Sequence, residues 1–315
     1  MSDTRIVAAR GPLSAEDLRG SGRRRRRERS IRGVFFGAAS TAVVVSALIV
    51  LSLAGRALRF AVRVDPGALW TSGWFPRRGM YDLRTIFVGT FLVAGVAMVV
   101  AAPLGLGAAI YLSEYANPRV RRWLKPGLET LAGIPSIVMG FFALAVISPD
   151  IVQKLASQAT LFNLAAAGLG VGILIVPLVA SVAEDSMHAV PNALREAAYG
   201  LGARRGGTSL RVVVPAAVSG IVAALIIGVS RAIGETMVVA VVAGGTGGSA
   251  FTLNIFHPGQ TATAAMAALA TGSDQVKGEA LTFESLFFVG FLLFVMTLVL
   301  NMVSERFVRR LRKSF

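Results

Sequence analysis

Apolar residues fall in long blocks separated by short polar stretches, and neither the two-residue period of a half-buried strand nor a globular helix stripe dominates. The first block, Val34 to Ala54, holds about 21 residues without a charge, close to the roughly 20 that cross a hydrocarbon core. A cleaved signal peptide is the rival reading, but its apolar stretch runs only about 7–15 residues. Five further blocks follow: Ile86 to Leu112, Leu128 to Ser148, Phe162 to Ala183, Val212 to Ala243 and Leu286 to Val303. The pattern predicts an all-α membrane protein of about six transmembrane helices. Pro103, Pro135, Pro177 and Pro215 fall in or at the ends of these blocks, so the bundle should be kinked where neighbouring helices or water satisfy the freed carbonyls.

The blocks divide the chain. Residues 1–32 are polar and contain the unbroken run Arg23 to Arg27, which predicts a disordered basic tail. Residues 33–85 make a first transmembrane helix and outer loop, residues 86–310 a core with a connecting loop at 184–215, and residues 311–315 a short C-terminal tail. Composition agrees with a bilayer: 54% of residues are hydrophobic, 16% are charged and mean hydropathy is +0.67. The net charge of +15 gathers in the tails and short loops, which fits lipid headgroups. No segment interleaves basic and aromatic residues as a single-strand nucleic-acid groove would. There is no cysteine, so disulfides and thiolate metal sites are excluded. With both termini in the cytoplasm, the inner segments carry 23 Lys and Arg against 8 outside, as the positive-inside rule requires. The loop at 55–85 argues back with Arg56, Arg59, Arg63, Arg77, Arg78 and Arg84, although a strongly basic preceding tail can overrule it.

Two charged motifs stand out. In the loop before the fifth block, Pro191 can open a short helix, Ala193 to Tyr199 favour one, and Gly200 and Gly202 permit a sharp bend after it. A compact knob results, readable either as a plain connection between spans or as a contact for another subunit. Arg195, Glu196, Ala197, Ala198, Gly200 and Gly202 are its candidate residues. The second motif, Ser230-Arg231-Ala232-Ile233-Gly234-Glu235-Thr236, lies inside the fifth block. A charge there costs about 2.5–3.5 kcal/mol on insertion scales. The spacing of four puts Arg231 and Glu235 on one helix face. They are either an ion pair that fixes helix packing or a receptor whose planar guanidinium meets a tetrahedral oxyanion, with Thr236 beside it. His188 and His257 are too isolated to suggest a metal or a base, and the only Lys before Ser or Thr is Lys313, without the glycines of a phosphate cradle. Gly168, Gly170 and Gly172, with Ala165 to Ala167, make a small-residue face that serves either close helix packing, the commoner role, or a pore lining.

Glu196-Ala197-Ala198, then Gly202 and an ending Val212-x-Val214-Pro215, resemble the EAA loop of ABC-importer permeases. Together with Tyr111 to Ala116 (YLSEYA), Leu131 to Leu144 (LAGIPSIVMGFFAL), Arg231 to Met237 (RAIGETM) and FESLFFVGFLLF from Phe283, the chain is similar to the permease subunits of the bacterial phosphate importer. The resemblance runs from about residue 80 to 310, and Glu235-Thr236-Met237 matches the C-type subunit. It implies a type I permease bundle in the bacterial cytoplasmic membrane, with no cofactor of its own. ATP and magnesium would sit on a dimer of cytoplasmic ATP-binding subunits that grips the knob. The other implied partners are an A-type permease and an extracytoplasmic phosphate-binding protein, for which residues 244–285 would supply docking surface. The basic tail and a first outer loop short for the family depart from the pattern. Two alternatives stay open: a permease for sulfate or molybdate, which need not pair Arg231 with Glu235, and an ATP-independent carrier, which leaves the knob unexplained.

Overall fold

The computed structural model describes residues 22–245, 247–272 and 280–312. The expected tail up to residue 21, the tail 313–315 and Thr246 of the glycine run lie outside the described residues. The chain divides into two compact units, Met1–Ser52 and Leu53–Phe315. The first unit is described from Gly22, where α1 (Gly22–Arg63) begins inside the stretch read as an unstructured tail. Arginine is a good helix former, and a helix nucleated by the apolar run propagates through it. Val34, Phe36 and Leu51 in this unit are exposed, as lipid-facing side chains are.

The second unit starts with the end of α1. Ala57 and Phe60 are buried, Phe60 packs edge-on to Tyr81, and Arg56 lies over the Phe287 ring. A hairpin follows, β1 (Gly73–Phe75) and β2 (Met80–Tyr81), turned by Gly79 at φ +68°. A distant strand, β3 (Ser249–Ala250), adds to β1 to give the antiparallel order β2-β1-β3. The all-α expectation therefore misses a small sheet, whose strands of two or three residues are too short to show a period. The arginines of 55–85 are also not a free basic loop. Arg56, Arg59 and Arg63 lie on α1, Arg63 sits 3.8 Å from Glu284, and Arg84 bonds Asp82 at 3.2 Å and the Thr71 carbonyl at 2.7 Å.

Next come α2 (Leu83–Ile110), which continues as a π-helical turn over Tyr111–Tyr115, and α3 (Pro118–Leu131). The expected third span began at Leu128; the structure ends α3 at Leu131 and starts α4 (Ser136–Phe142) after Pro135. A residue before proline is driven out of the helical region, which explains the break. A π-helical stretch with Pro149 inside it carries the chain from Ala143 to Val152, and α5 (Gln153–Leu155) closes that span. After α6 (Leu164–His188) come α7 (Asn192–Gly200), α8 (Arg205–Thr208) and α9 (Val214–Ala216). The block at 212–243, expected as one span, breaks twice: α10 (Val218–Ile233) leaves α9 at 72°, and α11 (Met237–Val242) starts anew after Gly234-Glu235-Thr236. The last helices are α12 (Ala262–Ala270) and α13 (Ala280–Arg312). Among the described residues five helices are long and apolar enough to cross a membrane, or six if α8 to α10 count as one bent span.

α2 and α6 form the spine. A Cβ on Gly168 would come within 2.6 Å of Val96, and one on Gly172 within 2.8 Å of the Ala97 carbonyl. The glycines thus serve close packing, the commoner of the two roles such a face can have. Gly172→Leu is expected to push α2 from α6 and abolish accumulation of the protein in membranes, read by immunoblot. Gly107→Ala meets open space and should accumulate normally.

Residues 251–261 are built into the fold. The carbonyls of His257 and Ile255 accept from the backbone N–H groups of Leu164 and Ala165, and Asn163 Oδ1 accepts from Ala166. Three orphan donors at the start of α6 are thereby satisfied. Ala262, Ala264 and Ala265 of α12 are buried as well, leaving Phe251 and Leu253 as the exposed apolar part of the segment.

Candidate coupling helix and anion groove

α7 forms where Pro191 stands at its N-cap and ends in two reverse-turn hydrogen bonds: Gly202 N–H to Tyr199 O at 2.9 Å and Ala203 N–H to Ala198 O at 3.0 Å. Gly202, at φ +80°, supplies the left-handed residue that this ending needs. Gly200 is simply the last helical residue. Glu196 and Ala197 are exposed beside Leu194, Tyr199 and Leu201, the last 90% exposed, while Ala198 is buried. The knob therefore offers a mostly apolar face with one carboxylate.

Arg195 faces the other way. Its guanidinium donates to Glu114 Oε1 at 2.8 Å and to the carbonyls of Val190 and Met187 at 2.6 and 2.9 Å. The side chain is 14% exposed and that of Glu114 3%. Arg195 thus ties α7 to the ends of α2 and α6, and does not belong to the outward surface with which the sequence grouped it. Tyr115, next to Glu114, lies under the Arg205 guanidinium at 5.7 Å. The YLSEYA string holds the loop at two points.

A second clasp joins α3 to the end of α6. Glu184 is fully buried, and its carboxylate pairs with Arg121 and, at 2.7 Å, with Lys125. Lys125 also meets Asp185 at 2.5 Å. Burial pulls the Lys125 pKa down, but the hydrogen bonds to Asp185 and Glu184 outweigh it and hold the ammonium above its ordinary value. Lys125 therefore stays charged at neutral pH, and its contribution is lost only as pH rises through that raised value. Glu184→Ala, which takes the buried carboxylate from Arg121 and leaves Lys125 with Asp185 alone, is expected to cost up to about 3 kcal/mol and to lower the thermal midpoint of detergent-purified protein. Asp185→Ala, at an exposed position, should cost about 0–1 kcal/mol.

Arg231 is on α10 and Glu235 lies just past its end, at the break before α11. Their closest approach, Arg231 Nη2 to Glu235 Oε2, is 3.6 Å. Because of the 72° bend before α10, Arg231 sits thirteen residues into a new helix, about 20 Å along it. The pair is lopsided, with the arginine side chain 58% exposed and the glutamate 5%. Glu235 Oε1 accepts from the backbone N–H groups of Thr236 at 3.2 Å and Met237 at 3.3 Å, so one oxygen caps α11 and the other faces the arginine. Thr263 Oγ1 of α12 donates to the Glu235 carbonyl at 2.7 Å. Thr236 Oγ1 lies 3.3 Å from the Gly234 carbonyl.

Hollows run to either side of this break. From α7, a cavity of about 620 Å³ lined by Leu194, Ser219 and Gly220 shares Ala223 and Val308 with a second of about 620 Å³ that ends at Asn301. Asn301 accepts from Ser230, the neighbour of Arg231, at 3.1 Å. Beyond the break a hollow of about 160 Å³ starts at Met237 and is walled by Gly245 and alanines of α12. Sequence reasoning missed Glu114, Glu184 and Asn301, whose only signal was a polar residue near the end of, or inside, an apolar run.

The family described as "Binding-protein-dependent transport system inner membrane component" matches residues 101–313. Among similar proteins are a probable ABC transporter permease, YqgH, of Bacillus subtilis, 33% identical over 76% of this chain and 80% of that one. A phosphate transport system permease PstC of Pasteurella multocida is 32% identical over 78% of this chain and 80% of its own length. A phosphate transport system permease PstA 1 of Mycobacterium tuberculosis is also 32% identical, over 81% of each. The fold is similar to a chain of a bacterial ABC transporter that imports alginate, with TM-score 0.62 at 15% identity over 91% of this chain and 99% of that one. An exposed arginine at a helix break, a glycine-turned knob held by its own clasp and these relatives agree: the chain belongs to the family of binding-protein-dependent transport system inner membrane components.

Proposed function

We propose that this chain is the C-type permease of an ATP-driven phosphate importer and forms half of its translocation path. The observation that carries the substrate class is the exposed Arg231 fork beside the buried Glu235, at a break with a groove on either side. A planar guanidinium meets two oxygens of a tetrahedral anion at once. Glu235 holds that fork when the path is empty and accepts the proton of hydrogen phosphate when it is full; sulfate, lacking that proton, meets bare negative charge. Relatives named as phosphate permeases, of both A- and C-type, support the reading.

An A-type permease would close the open side of the groove. The apolar face of α7 with Glu196 fits a cleft on a cytoplasmic ATP-binding subunit, which would carry ATP and magnesium. α7 then marks the cytoplasmic side of a bacterial cytoplasmic membrane and α12 the outer side, where Phe251 and Leu253 beside the small sheet are available to a phosphate-binding protein. ATP-driven alternating access tilts the spans, turning the Arg231 region to one side and then the other. An ATP-independent carrier gives α7 no task.

The experiment is copurification from native membranes, with mass analysis of the subunits retained and cross-linking from position 196. An ATP-hydrolysing subunit linked to that position, with ATP-dependent uptake of phosphate over sulfate, is the expected result. An intact assembly in which position 196 never reaches such a subunit, or which carries sulfate equally well, would overturn it.

A further inference from the structure

We infer that Asn301, oriented by Ser230, is a second anion-binding station on the translocation path, lying between Arg231 and the α7 end. The inference rests on the reading of Arg231 as a phosphate contact.

α13 is apolar from Leu286 to Leu300, and Asn301 interrupts that run. An amide facing hydrocarbon leaves donors and acceptors unsatisfied, so such a residue belongs in a wet cavity or against a partner. The structure supplies a cavity and a hydrogen-bond partner. Asn301 is exposed and lines the cavity of about 620 Å³ shared with Ala223 and Ile227. Its Oδ1 accepts from Ser230 Oγ at 3.1 Å. With its acceptor occupied, the carboxamide has its two N–H donors left to offer. Ser230 directly precedes Arg231 on α10, which places the Asn301 carboxamide at the same level of that helix as the arginine, beside the cavity that continues toward α7.

The chemistry suits transit. Two neutral amide donors bind an oxyanion more weakly than a guanidinium, and a path needs a site that an ion can leave as well as enter. Glu305 lines the same cavity one turn further along α13. An anion leaving Arg231 as the spans tilt would exchange ionic bonds for amide bonds before reaching water.

The absence of cysteine from the chain makes a direct test possible in the whole importer, reconstituted in proteoliposomes. Asn301→Cys should react with a small sulfonate-bearing thiol reagent, and millimolar inorganic phosphate should slow that reaction at least threefold while sulfate does not. Asn301→Leu should lower phosphate uptake about tenfold, the worth of one hydrogen bond to a charged group, and Asn301→Gln should restore most of it. Labelling unaffected by phosphate, or uptake by Asn301→Leu at the unaltered rate while Arg231→Ala is inactive, overturns the station and leaves the Arg231 reading standing. Normal uptake by Arg231→Ala removes that reading and the station with it.

Discussion

Arg231→Ala is expected to lower phosphate uptake by at least about a hundredfold, losing two charge-assisted hydrogen bonds of about 1.5–3 kcal/mol each, while the protein still accumulates in membranes. The guanidinium is more than half exposed, so its removal leaves no packing hole, and Glu235 keeps its two backbone bonds. Arg231→Lys keeps the charge without the fork and should fall between. The two oxygens of Glu235 separate the readings of this pair. Glu235→Gln can still cap α11 through its carbonyl but carries no charge. If the carboxylate is the proton acceptor, Gln should lose discrimination of phosphate from sulfate with the fold intact. If it is only structural, Gln should transport normally and Ala should fail, losing a cap worth about 1 kcal/mol. Uptake of both anions, measured side by side in vesicles, decides the matter.

The sequence made some of this legible and hid the rest for physical reasons. α7 and its Gly202 ending were readable because helix start, helix formers and left-handed glycine are local signals. The break at Gly234-Glu235-Thr236 was hidden inside a block at 212–243 that hydropathy sees as uniform. What makes the break is a carboxylate turned back on two N–H groups, which leaves no trace in apolar content. Prolines were better markers: Pro135 stands at the start of α4 and Pro215 within two residues of the 72° bend. Long-range partners were out of reach. Glu114 and Arg195 lie 81 positions apart, and Glu184 and Lys125 59 apart; each looks like an ordinary loop charge until the fold brings its partner to it.

Arg195→Ala is expected to uncouple ATP hydrolysis from transport, lowering uptake more than tenfold while the spans stay folded. Arg195 ties α7 at once to Glu114 and to the carbonyls that end α6. Truncating it strands a carboxylate that is 3% exposed, a loss of about 3–5 kcal/mol when a buried pair is broken. That penalty falls on the attachment of a nine-residue helix, whose own packing rests on little besides Ala198. The helix should therefore swing free, seen as faster tryptic cleavage at Arg204 and Arg205. Glu114→Ala leaves Arg195 with the carbonyls of Val190 and Met187 and with Asn192 Oδ1, and should cost less. In the double variant no charge is stranded, so stability should recover toward the unaltered value while uptake stays low, because a loose α7 still cannot transmit motion. Glu196→Ala, at an exposed position, supplies the contrast: it should weaken coupling without changing cleavage. Equal cleavage and equal uptake in all four proteins would show that the clasp carries no force between α7 and the spans.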